Sequence, residues 1–288
     1  MKKKIISIVM IIAIVAVCLC AFAGCNKKND KVLVVATNLD FQPFEYVNGT
    51  EAVGIDMEIA KLLADYLGME LKVVNMDFDA VVTAVQTNDE YDVGIAGLTI
   101  TEERKEVVSF SNAYFGATQI VITKANDTTF NGCTTAEQVE NVISGLTGNA
   151  AKCGGQTGTT SQFYINGNED LGFDGFSNIT FTPYSSAALA IQDMLNGNIA
   201  FVVVDKAVGQ SLVNSVNSSE TKIALVNVDL SSEEYAFAVK KSNTELLAKI
   251  NAFFDANKDN INTIMDKYLN ANADQLASYK TGISFENR

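Results

Sequence analysis

Short apolar runs alternate with amphipathic helical segments along almost the whole chain, and this alternation constrains the fold more than any other feature. KVLVVAT (31–37) reads as a buried strand. Between Ile55 and Leu67 apolar residues fall at 55, 59, 62, 63, 66 and 67, one face of a helix, and Gly68 stands where a C-cap belongs. ELKVVNM is the next strand, FDAVVTAVQTN the next helix and YDVGIAG another strand. Strands interleaved with helices are joined by crossovers rather than hairpins. The expected class is therefore α/β with a mainly parallel sheet.

The pattern repeats. VVNMDFDAVVTAVQTNDEYDVGIAG (73–97) and ITFTPYSSAALAIQDMLNGNIAFVVVD (179–205) both run strand, turn, helix, turn, strand. They read as equivalent units of two lobes. ATQIVITKANDTTFNG (117–132) passes from a strand into a polar, turn-rich segment, and SSEEYAFAVKKSN (231–243) is a second strand flanked by polar residues. Two such crossings imply that the second lobe is inserted into the first. The expected division is 32–121 plus 229–288 for lobe 1 and 122–228 for lobe 2. The last helix, NTELLAKINAFFDANK, presents Leu246, Leu247, Ile250, Phe253 and Phe254 for packing back onto lobe 1.

The chain opens with three lysines, an apolar run from Ile5 to about Ala23, and small residues before Cys25, the plan of an export signal. A membrane-spanning anchor is the competing reading of that run. FAGC resembles a bacterial lipobox. On that reading residues 1–24 are a lipoprotein signal peptide, Cys25 is lipidated, and residues 25–31 tether an extracytoplasmic domain to the cell membrane. Removing residues 1–24 takes three lysines and no acid from a formal charge of −13, leaving about −16. So acidic a chain is unsuited to nucleic acid, whose phosphates demand basic patches. It contains no histidine, which excludes histidine triads and imidazole metal sites. Cys133 and Cys153 alone make a poor zinc site; outside the cell they either pair or remain free thiols. No metal or other cofactor is expected.

Ligands of open α/β sheets bind at the carboxyl ends of strands, and three loops there carry suitable groups. GLTITEERK (97–105) holds Arg104, the one arginine besides Arg288. Thr101 suits an N-cap, with Glu102 and Glu103 in the first turn. Arg104 either pairs with a neighbouring glutamate or offers its fork to a carboxylate, which lysine cannot do in that geometry. QTGTTSQFY (156–164) combines a glycine turn with hydroxyls at a helix start. Asp205 closes the strand AFVVV, either to cap the following helix or to meet an ammonium group. Phe41, Phe44 and Phe78 lie in the adjoining loops; Phe44 reads as core, and Phe41 and Phe78 as core or cleft wall. Cation, anion and apolar wall match a free α-amino acid, and no nucleophile–base pair stands out.

Those blocks, TNLDFQPFEY, GIDMEIAKLLADYLG, GIAGLTITEERKEVVSFSNAYF, TGTTSQ, VVVD and EEYAFAVKK, resemble the family 3 extracellular solute-binding proteins from about Lys31 to Leu269. The resemblance implies a periplasmic-binding-protein-like type II fold, two α/β lobes joined by two crossover strands, closing by hinge bending. It implies a monomeric receptor that delivers an amino acid to the permease of an ABC importer. By that likeness Arg104 clamps the α-carboxylate with help from Thr99 and Thr160. The Gly97 carbonyl and Asp205 take the ammonium, Phe41 covers the ligand, and Phe78 is a neighbouring wall. Asn38 stands where some relatives carry an aspartate that meets the ligand's side chain, and so leans away from lysine or arginine as ligand. Two alternatives are an enzyme of the cyclohexadienyl-dehydratase type on the same fold and an amino acid sensor or adhesion ectodomain.

Overall fold

A computed structural model describes residues 31–288. The expected signal peptide, Cys25 and the expected tether up to residue 30 lie outside the described residues.

The strand Val32–Thr37 is buried from its second residue onward, as expected of a strand covered on both faces. It pairs in parallel with Glu70–Asn75, Val32 opposite Glu70 and Thr37 opposite Asn75. The helix between them, Ile55–Leu67, ends at Gly68 in the left-handed conformation (φ 69°), a conformation glycine adopts without a Cβ penalty. These strands belong to a six-stranded sheet in the order Phe285–Asn287, Glu70–Asn75, Val32–Thr37, Val93–Gly94, Ala238–Lys240, Val108–Phe110. A separate five-stranded sheet runs Thr180–Tyr184, Lys152–Gln156, Phe201–Asp205, Gln119–Lys124, Ile223–Val226. The two sheets are the centres of two α/β lobes. The chain passes between them along an antiparallel pair, Phe115–Ala117 against Glu233–Tyr235.

One apolar cluster runs through both lobes, joining the fully buried Leu33, Phe44, Leu63, Phe237 and Phe253 of the first to Ile122, Ile191 and Val202 of the second. Each lobe adds a cluster of its own, Val34, Val74 and Val81 in the first and Val121, Val139, Cys153 and Phe201 in the second. Each large side chain so buried contributes roughly 1.5–3 kcal/mol. The last helix runs Thr244–Leu269, longer than its apolar face suggests, and kinks at Asn257. The Asn257 amide donates to the Phe253 carbonyl (3.0 Å), and such bonding to the preceding turn bends helices.

Two strand expectations are modified. YDVGIAG pairs only at Val93–Gly94, because the chain turns away at Gly97 (φ 53°). SSEEYAFAVKKSN divides into Glu233–Tyr235 and Ala238–Lys240, which lie in different sheets. Cys133 and Cys153 are both free, so the disulfide expected as one alternative is not formed. Cys153 is buried inside the second sheet, and its thiol faces the Gly154 carbonyl at 3.6 Å.

Candidate functional site

Arg104 sits in the short helix Glu102–Val107, capped by the Thr101 hydroxyl, which accepts from the Arg104 amide at 3.0 Å. Its guanidinium ignores the adjacent glutamates. One terminal nitrogen donates to the Thr99 carbonyl (2.8 Å) and the other to the Gly158 carbonyl of the opposite lobe (3.1 Å). The remaining N–H groups of the fork stay available to an anion. Phe78 lies beneath it, 5.5 Å from guanidinium carbon to ring centre, and is buried. Desolvation lowers the Arg104 pKa to about 10, against the pull of Glu103, Glu233 and Asp205, so the group stays charged at neutral pH.

Thr99 and Thr160 complete this end. Both are buried, and their hydroxyls meet across the seam at 3.0 Å. Thr160 opens the helix Thr160–Asn166. The neighbouring Ser161 hydroxyl donates to the Gln119 side-chain oxygen at 3.0 Å.

Asp205, fully enclosed at the end of its strand, makes no side-chain cap hydrogen bond to the helix that follows. Its carboxylate instead accepts from the Gln119 amide (2.9 Å) and from the Tyr235 hydroxyl. Gln119 also donates to both oxygens of Glu233 (3.2 and 3.4 Å). Glu233 is buried as well and accepts from the Ser231 and Thr99 hydroxyls (2.5 and 3.3 Å). Two carboxylates joined through one amide repel each other. Burial, and then Glu233, push the Asp205 pKa up to about 7. This corner therefore lacks a positive charge.

The third end lies where Asn38 meets Gln156. The Gln156 amide nitrogen donates to the Asn38 side-chain oxygen (2.8 Å) and to the Ser185 carbonyl (2.9 Å), while the Asn38 nitrogen donates to the Met76 carbonyl (2.9 Å). Main-chain carbonyls fix the orientation of both amides. That leaves the Gln156 side-chain oxygen buried with no donor facing it.

Phe41 packs on Phe44 (centroids 5.7 Å apart) and so tightly over Gly97 that a Cβ there would come within 2.8 Å of its ring. The structure thus gathers Gly97, Thr99, Arg104, Thr160 and Asp205 with the Phe41 and Phe78 rings, and sets Asn38 against Gln156. Sequence reasoning missed Gln119, Gln156, Glu233 and Tyr235, whereas Ser161 stood among the hydroxyls expected at the helix start. Gln156 falls in QTGTTSQFY and Glu233 and Tyr235 in EEYAFAVKK, so Gln119 alone carried no signal. A cavity of about 270 Å³ touches Asp205 and Tyr235 at the hinge, but Arg104, Thr99 and Thr160 do not line it. Their seam is closed by direct bonds.

The family described as bacterial extracellular solute-binding proteins, family 3, matches residues 33–271. The chain belongs to that family. Its fold is accordingly the type II periplasmic-binding fold. The arginine-binding extracellular protein ArtP of Bacillus subtilis is 36% identical over 121 residues, 40% of this chain and 47% of that protein. The match therefore spans about half the length of that relative. A crystal structure of a mutant of ArgBP from T. maritima superposes with a TM-score of 0.71 at 30% identity, over 84% of this chain and 96% of that one. An ancestral arginine-binding protein bound to glutamine superposes at 0.69 and 30% identity, over 83% and 97%. This family member thus shares its architecture with proteins that bind amino acids.

Proposed function

We propose that this family member is an extracytoplasmic receptor for a polar amino acid, tethered by lipid at Cys25, that delivers its ligand to the permease of an ABC importer. The observation that carries the reading is the charge arrangement in one seam. Arg104 presents a fork beside Thr99 and Thr160, while Asp205 and Glu233 crowd an uncompensated negative charge around Gln119. A zwitterion answers both ends: its carboxylate takes the fork and its ammonium relieves the acids. Gly97 supplies a carbonyl to the ammonium, and Phe41 and Phe78 enclose the aliphatic part. Bonds from lobe to lobe at Thr99–Thr160, Arg104–Gly158 and Asn38–Gln156 give closure its energy.

The side chain of the ligand meets the Asn38–Gln156 amides. The buried Gln156 oxygen calls for a donor, so the preferred ligand has a side chain ending in N–H, as glutamine and arginine do, with glutamine ahead because the neutral Asn38 amide offers no carboxylate to a guanidinium. A side-chain carboxylate would face an acceptor and be rejected. The reading is supported by relatives named for arginine binding and by a neighbour solved with glutamine. Calorimetry with arginine, glutamine and glutamate tests it, glutamate being the ligand that should fail. Mass spectrometry of the exported chain tests the anchor, which requires a diacylglycerol adduct at Cys25.

A further inference from the structure

The residues facing the cleft leave a second acid cluster beneath them unexplained. Glu45, in the strand Glu45–Asn48, is 0% exposed, and neither carboxyl oxygen has a hydrogen-bond partner. Asp56, at the start of the helix Ile55–Leu67, is also 0% exposed but is amply bonded. It accepts the Gly97 amide N–H (3.0 Å) and the Tyr114 hydroxyl, at 2.7 and 2.9 Å to its two oxygens. The backbone draws the two acids together. The amides of Ile55 and Asp56 donate to the carbonyls of Pro43 (3.1 Å) and Phe44 (2.9 Å), so the helix start is bound to the residues just before Glu45. Among the described residues no lysine or arginine forms an ion pair with either acid.

Two buried carboxylates that the backbone brings together, with no cation paired to either, disfavour ionisation of both. The proton goes to the acid whose anion is least supported. Asp56 has two donors to stabilise its charge and Glu45 has none. A protonated Glu45 has one O–H, and the acceptor facing it is the Asp56 carboxylate.

We propose that Glu45 and Asp56 form a buried acid pair holding one proton, Glu45 donating to the Asp56 carboxylate, and that this pair positions Gly97 for the ligand's ammonium. The second half rests on the receptor reading above; the first does not. Gly97 has φ 53°, and a Cβ there would come within 2.8 Å of the Phe41 ring, so no side chain fits. Its N–H is fixed by Asp56, which orients the loop that carries its carbonyl. Tyr114 immediately precedes the crossover strand Phe115–Ala117, so one carboxylate ties the ligand loop to the hinge. The titratable groups around the pair agree with this assignment. Burial raises Glu45 well above its ordinary value, with Asp56 and then Asp205 adding to the rise. Burial raises Asp56 less decisively, because Tyr114, Gly97 and Glu45 all hold it down. Tyr114 is itself pushed far up by burial and by both acids, and remains a neutral donor. Tyr235, the next ring beyond it (centroids 6.4 Å apart), is occupied with Asp205. Asp56 thus leaves a diffuse negative charge behind Gly97, on the side from which an ammonium gains.

Infrared spectroscopy of the purified full chain at pH 7 tests the pair. Asp205, its pKa pushed up to about 7, contributes a protonated-acid band to both forms. The readout is therefore the wild-type-minus-E45Q difference spectrum, which should show one carboxylic-acid carbonyl stretch. Affinity tests the positioning. E45A should weaken amino acid binding about tenfold, the scale of one buried hydrogen bond lost. E45Q, which restores an N–H donor without an ionisable proton, should recover most of that loss. D56N should weaken binding at least as much as E45A, with an unchanged circular dichroism spectrum. A difference spectrum without a protonated-acid band overturns the pair. Binding as weak in E45Q as in E45A overturns the positioning role. If the wild type binds no amino acid, the receptor reading fails while the infrared result still decides the pair.

Discussion

The side-chain amides of Asn38 and Gln156 meet at 2.8 Å from opposite lobes, each locked in orientation by a main-chain carbonyl. The Gln156 oxygen is thereby presented as an acceptor without a donor. Gln156→Leu should weaken a ligand with a side-chain N–H by about tenfold, roughly 1.4 kcal/mol. Gln156→Glu should shift preference toward arginine, since it adds a carboxylate for the guanidinium. Calorimetric titration of both variants reads the effect; unchanged selectivity in each would remove Gln156 from the site.

In the proposed receptor Arg104 anchors the ligand carboxylate. Arg104→Lys keeps the charge but loses the planar fork, and should cost about 2 kcal/mol of binding, near 30-fold in affinity. Arg104→Ala should abolish measurable binding. Both variants should keep the wild-type circular dichroism spectrum, because Arg104 belongs to the seam rather than to an apolar cluster. Near-native affinity in Arg104→Lys would contradict the bidentate role.

Ligand binding should release protons. In the ligand-free protein Asp205 is pushed up to about 7 by burial and Glu233, and an arriving ammonium favours its ionised form. At pH 6 the calorimetric heat should therefore vary with the ionisation enthalpy of the buffer, and at pH 8.5 the variation should fade. Affinity should fall as pH drops from 7 to 5, by up to about tenfold per unit. Buffer-independent heat at pH 6 would contradict this linkage.

Stability of the ligand-free protein should fall as pH rises. Asp205, Glu45 and Asp56 all have folded-state values raised by burial. Their favourable contribution is fully present below the unfolded values near pH 4 and is lost as pH climbs through the folded ones. The partly exposed acids held low, Glu51 and Glu90 among them, act in the opposite sense only at the acid end. The melting temperature should decline between pH 5 and 8, and saturating ligand should flatten that decline. A rise across this range would contradict the buried-acid account.

The two thiols should differ in reactivity. Burial in the second sheet raises the Cys153 pKa far above that of a free thiol, whereas Cys133 is half-buried. Iodoacetamide at pH 8 should label Cys133 first and leave Cys153 unmodified until the protein is denatured, as read by peptide mass spectrometry. Equal labelling of both under native conditions would contradict the packing.

The strand–helix alternation and the helix faces were legible because burial forces a period. Ile55, Ile59 and Leu63 fall on one face whether or not the rest of the fold is known, and Gly68 marks the helix end by its own conformational freedom. Arg104 was legible for a chemical reason, as one guanidinium at a strand end in a chain that otherwise prefers lysine. Gln119 was not legible. It stands in the apolar run QIVIT, and its importance arises only when the second sheet brings Asp205 beside it and the crossover brings Glu233. Glu45 was hidden for the same reason: a glutamate between phenylalanine and tyrosine reads as exposed until Asp56 is folded against it. Local periodicity records what a residue does for its own element, whereas these polar contacts join residues far apart in the chain.

The central claim is that the seam holds a free amino acid by both of its charges. The most direct measurement is a thermal-shift screen of the purified protein against all twenty amino acids, with the decarboxylated and deaminated forms of whichever stabilises it most. The account predicts a raised melting temperature for an amino acid with a side-chain N–H donor, glutamine or arginine foremost, and no shift when either the α-carboxylate or the α-ammonium is missing. Stabilisation that survives the loss of either group, or no shift with any amino acid, would contradict it.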